Sequence, residues 1–242
     1  MYSMHFTVRH SHLGANETMR PSALLSALQD IATADADTTM DMSRETLISR
    51  FHALWIVTRT SLYIDRPMGL GEYTLTTWHP AVRAALWPRA YAVTDDRGEV
   101  VVRCMTQWRA LSDTLPRKVV MLPAVEGDEM PYEMPPVLRP RLPETLTDVG
   151  THKVTLSDLD ENRHVNNALA LDLLEDAAAA AAPEDACTRV LREAHIHYAG
   201  EAYLGDALQL FAARDGEAFS IRTSLDGKSV HEAELRYSAD KE

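Results

Sequence analysis

The chain repeats itself. Setting Ser11 against Ser157 aligns Leu13 with Leu159, Asn16 with Asn162, Leu25 with Leu171, Leu28 with Leu174 and Asp30 with Asp176, with no gap. Each copy reads in the same order, a short strand, a polar loop, an apolar helix and then strands joined mostly by hairpins. A chain of 242 residues accommodates two such units of ordinary domain size. About five strands per copy bury one helix only if the sheet curls around it, which predicts an α+β wrap with the helix as filling. Two such units could pair edge to edge into one continuous sheet and so protect their edge strands.

In the first copy, Pro21 suits a helix first turn, and Ala23, Leu24, Leu25, Ala27, Leu28, Ile31 and Ala32 continue at helical spacing to about Asp35. Ser43 is a good N-cap for a second, shorter helix. The β-branched and aromatic stretch from Leu54 to Ile64 reads as a long strand, followed by strands over Tyr73 to Trp78, Trp87 to Thr94 and Val100 to Leu111, with a short edge over Val119 to Leu122. Pro123, Pro131, Pro135, Pro136, Pro140 and Pro143 are half of the twelve prolines, so 123–150 reads as a linker between a unit over 1–122 and a unit over 151–242. The second unit is expected to hold a strand over Lys153 to Leu156 and a helix from about Asn167 to Ala181. Its remaining strands are expected over Arg189 to Tyr198, Asp206 to Arg214, Ala218 to Leu225 and Ser229 to Tyr237.

The chemistry is concentrated just ahead of the second helix. Asp160-x-Asn162-x-His164 places a carboxylate, an amide and an imidazole within five residues. A plain helix-capping loop would also favour Asp and Asn here. The first copy acts as a control, because Gly14, Asn16 and Thr18 stand in the corresponding places and both acid and imidazole are missing.

Bulk properties narrow the class. A net charge of −12 argues against a general nucleic-acid binder. Cys104 and Cys187 form no metal or redox spacing, and no apolar run approaches the ~18–20 residues of a membrane span. The first residues lack the pattern of a signal peptide, so a cytoplasmic protein is expected. His195 and His197 share a strand face, but no third ligand stands at an obvious spacing, and they read as ordinary strand residues.

Three segments resemble the acyl-acyl carrier protein (acyl-ACP) thioesterases of plants and bacteria. They are Pro21 to Asp30, Leu54 to Arg59 with Gly71-Glu72 and Thr77-Trp78 downstream, and Asp158 to Asn167, the last being the specific one. The resemblance implies a tandem hotdog fold and hydrolysis of fatty acyl-ACP in fatty acid biosynthesis, with no cofactor and no metal. Carried over by position, it implies catalytic roles for Asp160, Asn162 and His164, and for Glu201 in the segment after the strand that ends at Tyr198. Plant members usually have a cysteine just after that glutamate. Here Ala202 stands there, so no thiol can act as nucleophile at that place. Asp160 remains open as base or as nucleophile, and backbone N–H groups at the start of the Asn167 helix are expected to face the thioester oxygen.

The first unit is then expected to be non-catalytic and to house the acyl chain along its helix. Ala27, Leu28 and Ile31, with Trp55 and Val57 on the facing strand, are the candidates, although each also suits an ordinary core. The implied partner is acyl carrier protein, which is acidic. The local excess of basic residues from Ala81 to Val120 suggests Arg83 and Arg89 as a docking face, against the plainer reading of solvated strand faces. An acyl-CoA thioesterase, a non-catalytic acyl-binding protein and a dehydratase of the same fold are the rival readings. The tandem unit is expected as a monomer or a homodimer.

Overall fold

The computed structural model describes residues 1–82, 85–123 and 125–238. The first half supplies β1 (Tyr2–Val8), α1 (Pro21–Thr38), α2 (Arg44–Thr46) running into a π-helical turn (Leu47–Phe51), β2 (Ala53–Ile64), β3 (Gly71–Trp78), β4 (Trp87–Thr94) and β5 (Val100–Ser112). The second supplies β6 (Thr147–Lys153), α3 (Ala170–Ala181), β7 (Val190–Tyr198), β8 (Ala207–Asp215), β9 (Ala218–Leu225) and β10 (Lys228–Ser238). Pro21 opens α1 at its first turn, where its missing N–H costs nothing. Asp226 and Gly227 both take positive φ, 50° and 76°, as a type I′ hairpin turn between β9 and β10 demands.

The ten strands of the described residues form one sheet in the order β1-β3-β4-β5-β2-β7-β10-β9-β8-β6. Each half of that order mirrors the other about the β2–β7 seam, where Arg59 pairs with His197 and Tyr63 with Glu193. The expected edge-to-edge pairing is thus made by central strands, and only β1 and β6 end the sheet. Both helices lie against the sheet and share one core. Leu24, Leu25, Leu28 and Ile31 of α1 belong to the same buried cluster as Leu171, Leu174, Ala177 and Ala178 of α3, with Leu62, Leu75, Ile196 and Ile221 from strands of both halves.

The proline-rich segment is an ordered strap. Tyr132, Met134 and Val137 pack on Trp78, Ala90, Ala92 and Met105, and the Leu138 N–H donates to Ser61 Oγ at 2.9 Å. Proline forbids a further ladder there, and the apolar residues between the prolines cover the outer face of the first unit.

Three local expectations differ. The second unit's first strand is Thr147–Lys153, ahead of the predicted Lys153 to Leu156, because Leu156–Asp158 closes into a 3-10 turn held by the Thr155 and Asp158 side chains. Helix α3 starts at Ala170 rather than at Asn167, and the predicted edge over Val119 to Leu122 is reduced to a bridge between Leu111 and Val119.

Candidate active site

The loop ahead of α3 is fixed by its own backbone. Asp158 accepts from the Thr155 N–H at 2.7 Å and touches His152 Nε2 at 2.9 Å. Burial works against its charge, but those contacts outweigh it and hold the carboxyl below the usual carboxylate range. The Asp160 N–H donates to the His164 carbonyl at 3.0 Å, and the Arg163 N–H donates back to the Asp160 carbonyl at 3.0 Å. Arg163 takes φ 66° to close this turn. The Val165 N–H then reaches the Ala202 carbonyl at 2.9 Å, tying the loop to the segment after β7.

That frame brings the predicted trio together. Asp160 Oδ1 accepts from the Asn162 N–H at 2.8 Å, and Asn162 Nδ2 stands 3.5 Å from Asp160 Oδ2. His164 Nδ1 lies 3.5 Å from the same Oδ2 and 3.3 Å from the Val165 carbonyl. His164 is buried and Asp160 half-buried. Arg44 of α2 crosses from the first unit, with Nε 3.3 Å from Glu161 and Nη2 3.4 Å from Asn162 Oδ1.

The first-unit loop is the same object without the chemistry. The Gly14 N–H donates to the Thr18 carbonyl at 2.8 Å, the Glu17 N–H to the Gly14 carbonyl at 3.0 Å, and Glu17 takes φ 63°. Leu13 bridges Met19 as Leu159 bridges Val165. Here Asn16 caps locally, accepting from the Thr18 N–H at 3.1 Å and donating to the Arg189 carbonyl at 3.0 Å. The space beside this loop is a void of about 10 Å³ lined by Asn16, Thr18, Leu24, Val190 and Leu191.

Beside the second-unit loop the picture is different. Asp160, Glu161, Asn162, Asn166 and Asn167 line a cavity of about 480 Å³, within the range of small-ligand sites. Its other walls come from the first unit: Ala32 and Ala36 of α1, Met40, Met42, Leu47, Trp55 of β2, Trp87 and Arg89 of β4, and Trp108 of β5. The two units differ here for a visible reason. Beside Ala182, the repeat partner of Ala36, the Arg189 guanidinium fills the corresponding space, 4.6 Å from the Phe219 ring centre and 4.7 Å from that of Tyr237.

The acyl-chain candidates need correction. Trp55 lines the cavity, but Ala27, Leu28 and Ile31 are packed into the shared core, and Val57 is buried without lining it. The cavity follows the C-terminal half of α1 along Gln29, Asp30, Ala32, Thr33, Ala36 and Asp37, on a neighbouring face of the same helix. The signal missed in the sequence is the connection from Thr38 to Ala53, longer than its counterpart from Ala181 to Val190, which supplies Met40, Met42, Arg44 and Leu47.

The docking face is corrected too. Arg89 is buried at 8% exposure and bonded to Asp35, itself fully buried, so it presents no charge to a partner surface. A strand-borne arginine cannot be told from a surface one by spacing alone, because its partner sits in α1. Arg83 lies outside the described residues.

Glu201 is reached only in part. Its segment adjoins the loop, since His164 bridges Tyr203 and Ala202 receives Val165. Its carboxylate, however, is held by Arg117 Nε at 3.1 Å and by the Tyr203 hydroxyl. The helix N-terminus is likewise occupied, with Asn166 Oδ1 accepting from the Ala168 N–H at 2.8 Å and the Leu169 N–H at 3.4 Å. Asn162 and Asn167, whose side-chain amides carry N–H donors, both line the cavity there. His195 and His197 take separate partners, Ser61 and Glu232, and no cluster with metal-ligand geometry occurs among the described residues.

Two long helices against one sheet, with a loop-and-cavity site between the halves, define a tandem hotdog protein. The chain belongs to the acyl-ACP thioesterase family: the family's N-terminal domain matches residues 1–124 and its C-terminal domain residues 145–239. It is 27% identical over 190 residues to the chloroplastic palmitoyl-acyl carrier protein thioesterase of Gossypium hirsutum, covering 69% of this chain and 44% of that protein. The Arabidopsis thaliana protein of the same name is 24% identical over 264 residues, 99% of this chain and 62% of that one. The chain thus spans less than two thirds of these curated relatives. An acyl-ACP thioesterase structure from Bacteroides thetaiotaomicron superposes with a TM-score of 0.85 at 20% identity, over 98% of this chain and 97% of that one.

Proposed function

We propose that the protein hydrolyses the thioester of fatty acyl-ACP, releasing free fatty acid and holo-ACP in fatty acid biosynthesis. The observation that carries this reading is that Asp160, Asn162 and Asn167 line the same cavity as Trp55, Trp87 and Trp108, so a polar reacting end and an apolar chain fit one space. The family membership supplies the substrate class. A cytoplasmic setting belongs to the same proposal, and both cysteines are free.

The chemistry follows from the contacts. Asp160, fixed by the Asn162 N–H and flanked by His164, draws a proton from water as the water oxygen attacks the thioester carbonyl carbon. Charge developing on the carbonyl oxygen is met by the Asn162 and Asn167 amides. The carbon–sulfur bond then breaks and the proton passes to the departing sulfur. Glu201, neutralised by Arg117, acts at a remove through the Ala202 backbone that holds the loop.

Incubation with a panel of acyl-ACPs and measurement of released acid tests the activity. Matched acyl-CoAs test the carrier. Equal kcat/KM on both carriers removes acyl carrier protein from the reading, and no release from either removes hydrolysis.

A further inference from the structure

The inner end of the cavity carries polar groups that hydrolysis does not use. The cavity crosses the sheet from α2 and β2, beside the catalytic loop, past Trp108 on β5 to Trp87 and Arg89 on β4 and His79 just beyond β3. Three interstrand steps of about 4.8 Å separate β2 from β3, roughly 14 Å in all. The loop end is the open one, where Glu161 is exposed and Asn162 half-buried, whereas His79 and Arg89 are each 8% exposed.

Neither inner polar group is well satisfied. Arg89 Nη1 is bonded to Asp35 and lies 3.5 Å from Thr77 Oγ1, but the partner of Nη2 is the Met40 sulfur at 2.9 Å. A thioether is a weak acceptor on a flexible side chain, so it yields readily to an oxygen. The His79 N–H donates to Asp128 at 3.2 Å, and Nε2 lies 3.7 Å from the same carboxylate. Nδ1 of His79 is buried with no hydrogen-bond partner. Burial keeps the ring neutral by lowering its pKa, against the pull of Asp128. With the ring proton on Nε2 toward Asp128, Nδ1 is an acceptor.

We propose that His79 and Arg89 recognise a hydroxyl group carried on the acyl chain far from the thioester, making this the specificity-determining end of the cavity. The hydroxyl donates to His79 Nδ1 and accepts from Arg89 Nη2 once Met40 moves aside. An unsubstituted alkyl end leaves His79 Nδ1 unpaired and Arg89 Nη2 with only the Met40 sulfur, and leaving a buried polar group unpaired is what such sites discriminate against. This inference rests on the thioester-hydrolase reading for its substrate, though not for its recognition chemistry.

The test uses acyl-ACPs of one chain length bearing no hydroxyl, a β-hydroxyl, or a hydroxyl near the methyl end. The expected result is a kcat/KM about tenfold or more higher for the distal hydroxyl than for the other two. His79→Leu should bring the ratio close to unity, and His79→Gln, whose amide oxygen can accept, should restore part of it. Equal or better hydrolysis of the unsubstituted chain by the native protein overturns the proposal, whatever the variants do. Calorimetric binding of the free distal-hydroxy acid and its unsubstituted counterpart separates the two readings. Tighter binding of the hydroxy acid without any hydrolysis sinks the hydrolase reading and sustains this one, while equal affinities sink this one.

Discussion

His164 Nδ1 stands 3.5 Å from Asp160 Oδ2 across a turn whose backbone is reproduced, bond for bond, around Gly14 and Thr18. The scaffold therefore holds its shape with or without acid and imidazole. Nothing in the fold requires that pair, which makes them the side chains to test first.

Replacing Asp160 with Ala is expected to lower kcat for acyl-ACP by about 10²–10⁴-fold while leaving the circular dichroism spectrum unchanged. His164→Ala should fall in the same range. Glu201→Gln should cost less than either, because its carboxylate is already committed to Arg117 and Tyr203. A Glu201 loss equal to that of Asp160, measured by acid release, would move Glu201 into direct chemistry.

Grafting the pair onto the first unit, as Gly14→Asp with Thr18→His in an Asp160→Ala background, should restore no activity. The void beside that loop is about 10 Å³, against about 480 Å³ at the second. Turnover above the Asp160→Ala level would show that the catalytic loop suffices without its cavity.

The Asp35–Arg89 pair is buried, so removing one partner should be costly. Arg89→Met leaves a buried carboxylate unpaired and is expected to lower stability by about 3–5 kcal/mol in urea unfolding. Asp35→Leu with Arg89→Met should be less destabilising than Arg89→Met alone. A double variant worse than the single would mean that packing, not charge, sets the cost.

Glu175 gives a pH signature. Burial and the neighbouring Asp172 push its pKa up to about 8, from an ordinary 4.5. Between those values the unfolded chain has released a proton that the folded protein keeps, so this group's contribution to stability is full at low pH and falls as pH rises toward about 8. Glu175→Gln cannot ionise. Its Tm should decline less than that of the native protein between about pH 5 and about pH 8. Parallel Tm curves for the two would place the titration elsewhere.

The repeat, the helix–strand order and the Asp160-Asn162-His164 loop were all legible in the sequence, because each depends on local pattern: apolar spacing, turn residues and short-range hydrogen bonds. The equivalence of Leu13 with Leu159 and of Asn16 with Asn162 survives as matching bridges and turns. Other features were decided by residues far apart in the chain. Leu28 and Ile31 became core and Ala32 and Ala36 became cavity wall according to what β2, β4 and β5 placed opposite them. Arg89 became a buried ion-pair partner because Asp35 arrives from α1, and the space beside Ala182 is taken by the Arg189 guanidinium, which lies over Phe219 and Tyr237. Sequence spacing fixes which face of an element a side chain shares with its neighbours. Only packing decides whether that face meets core, solvent or an open cavity, since that depends on long-range pairing and on the volume left between the elements.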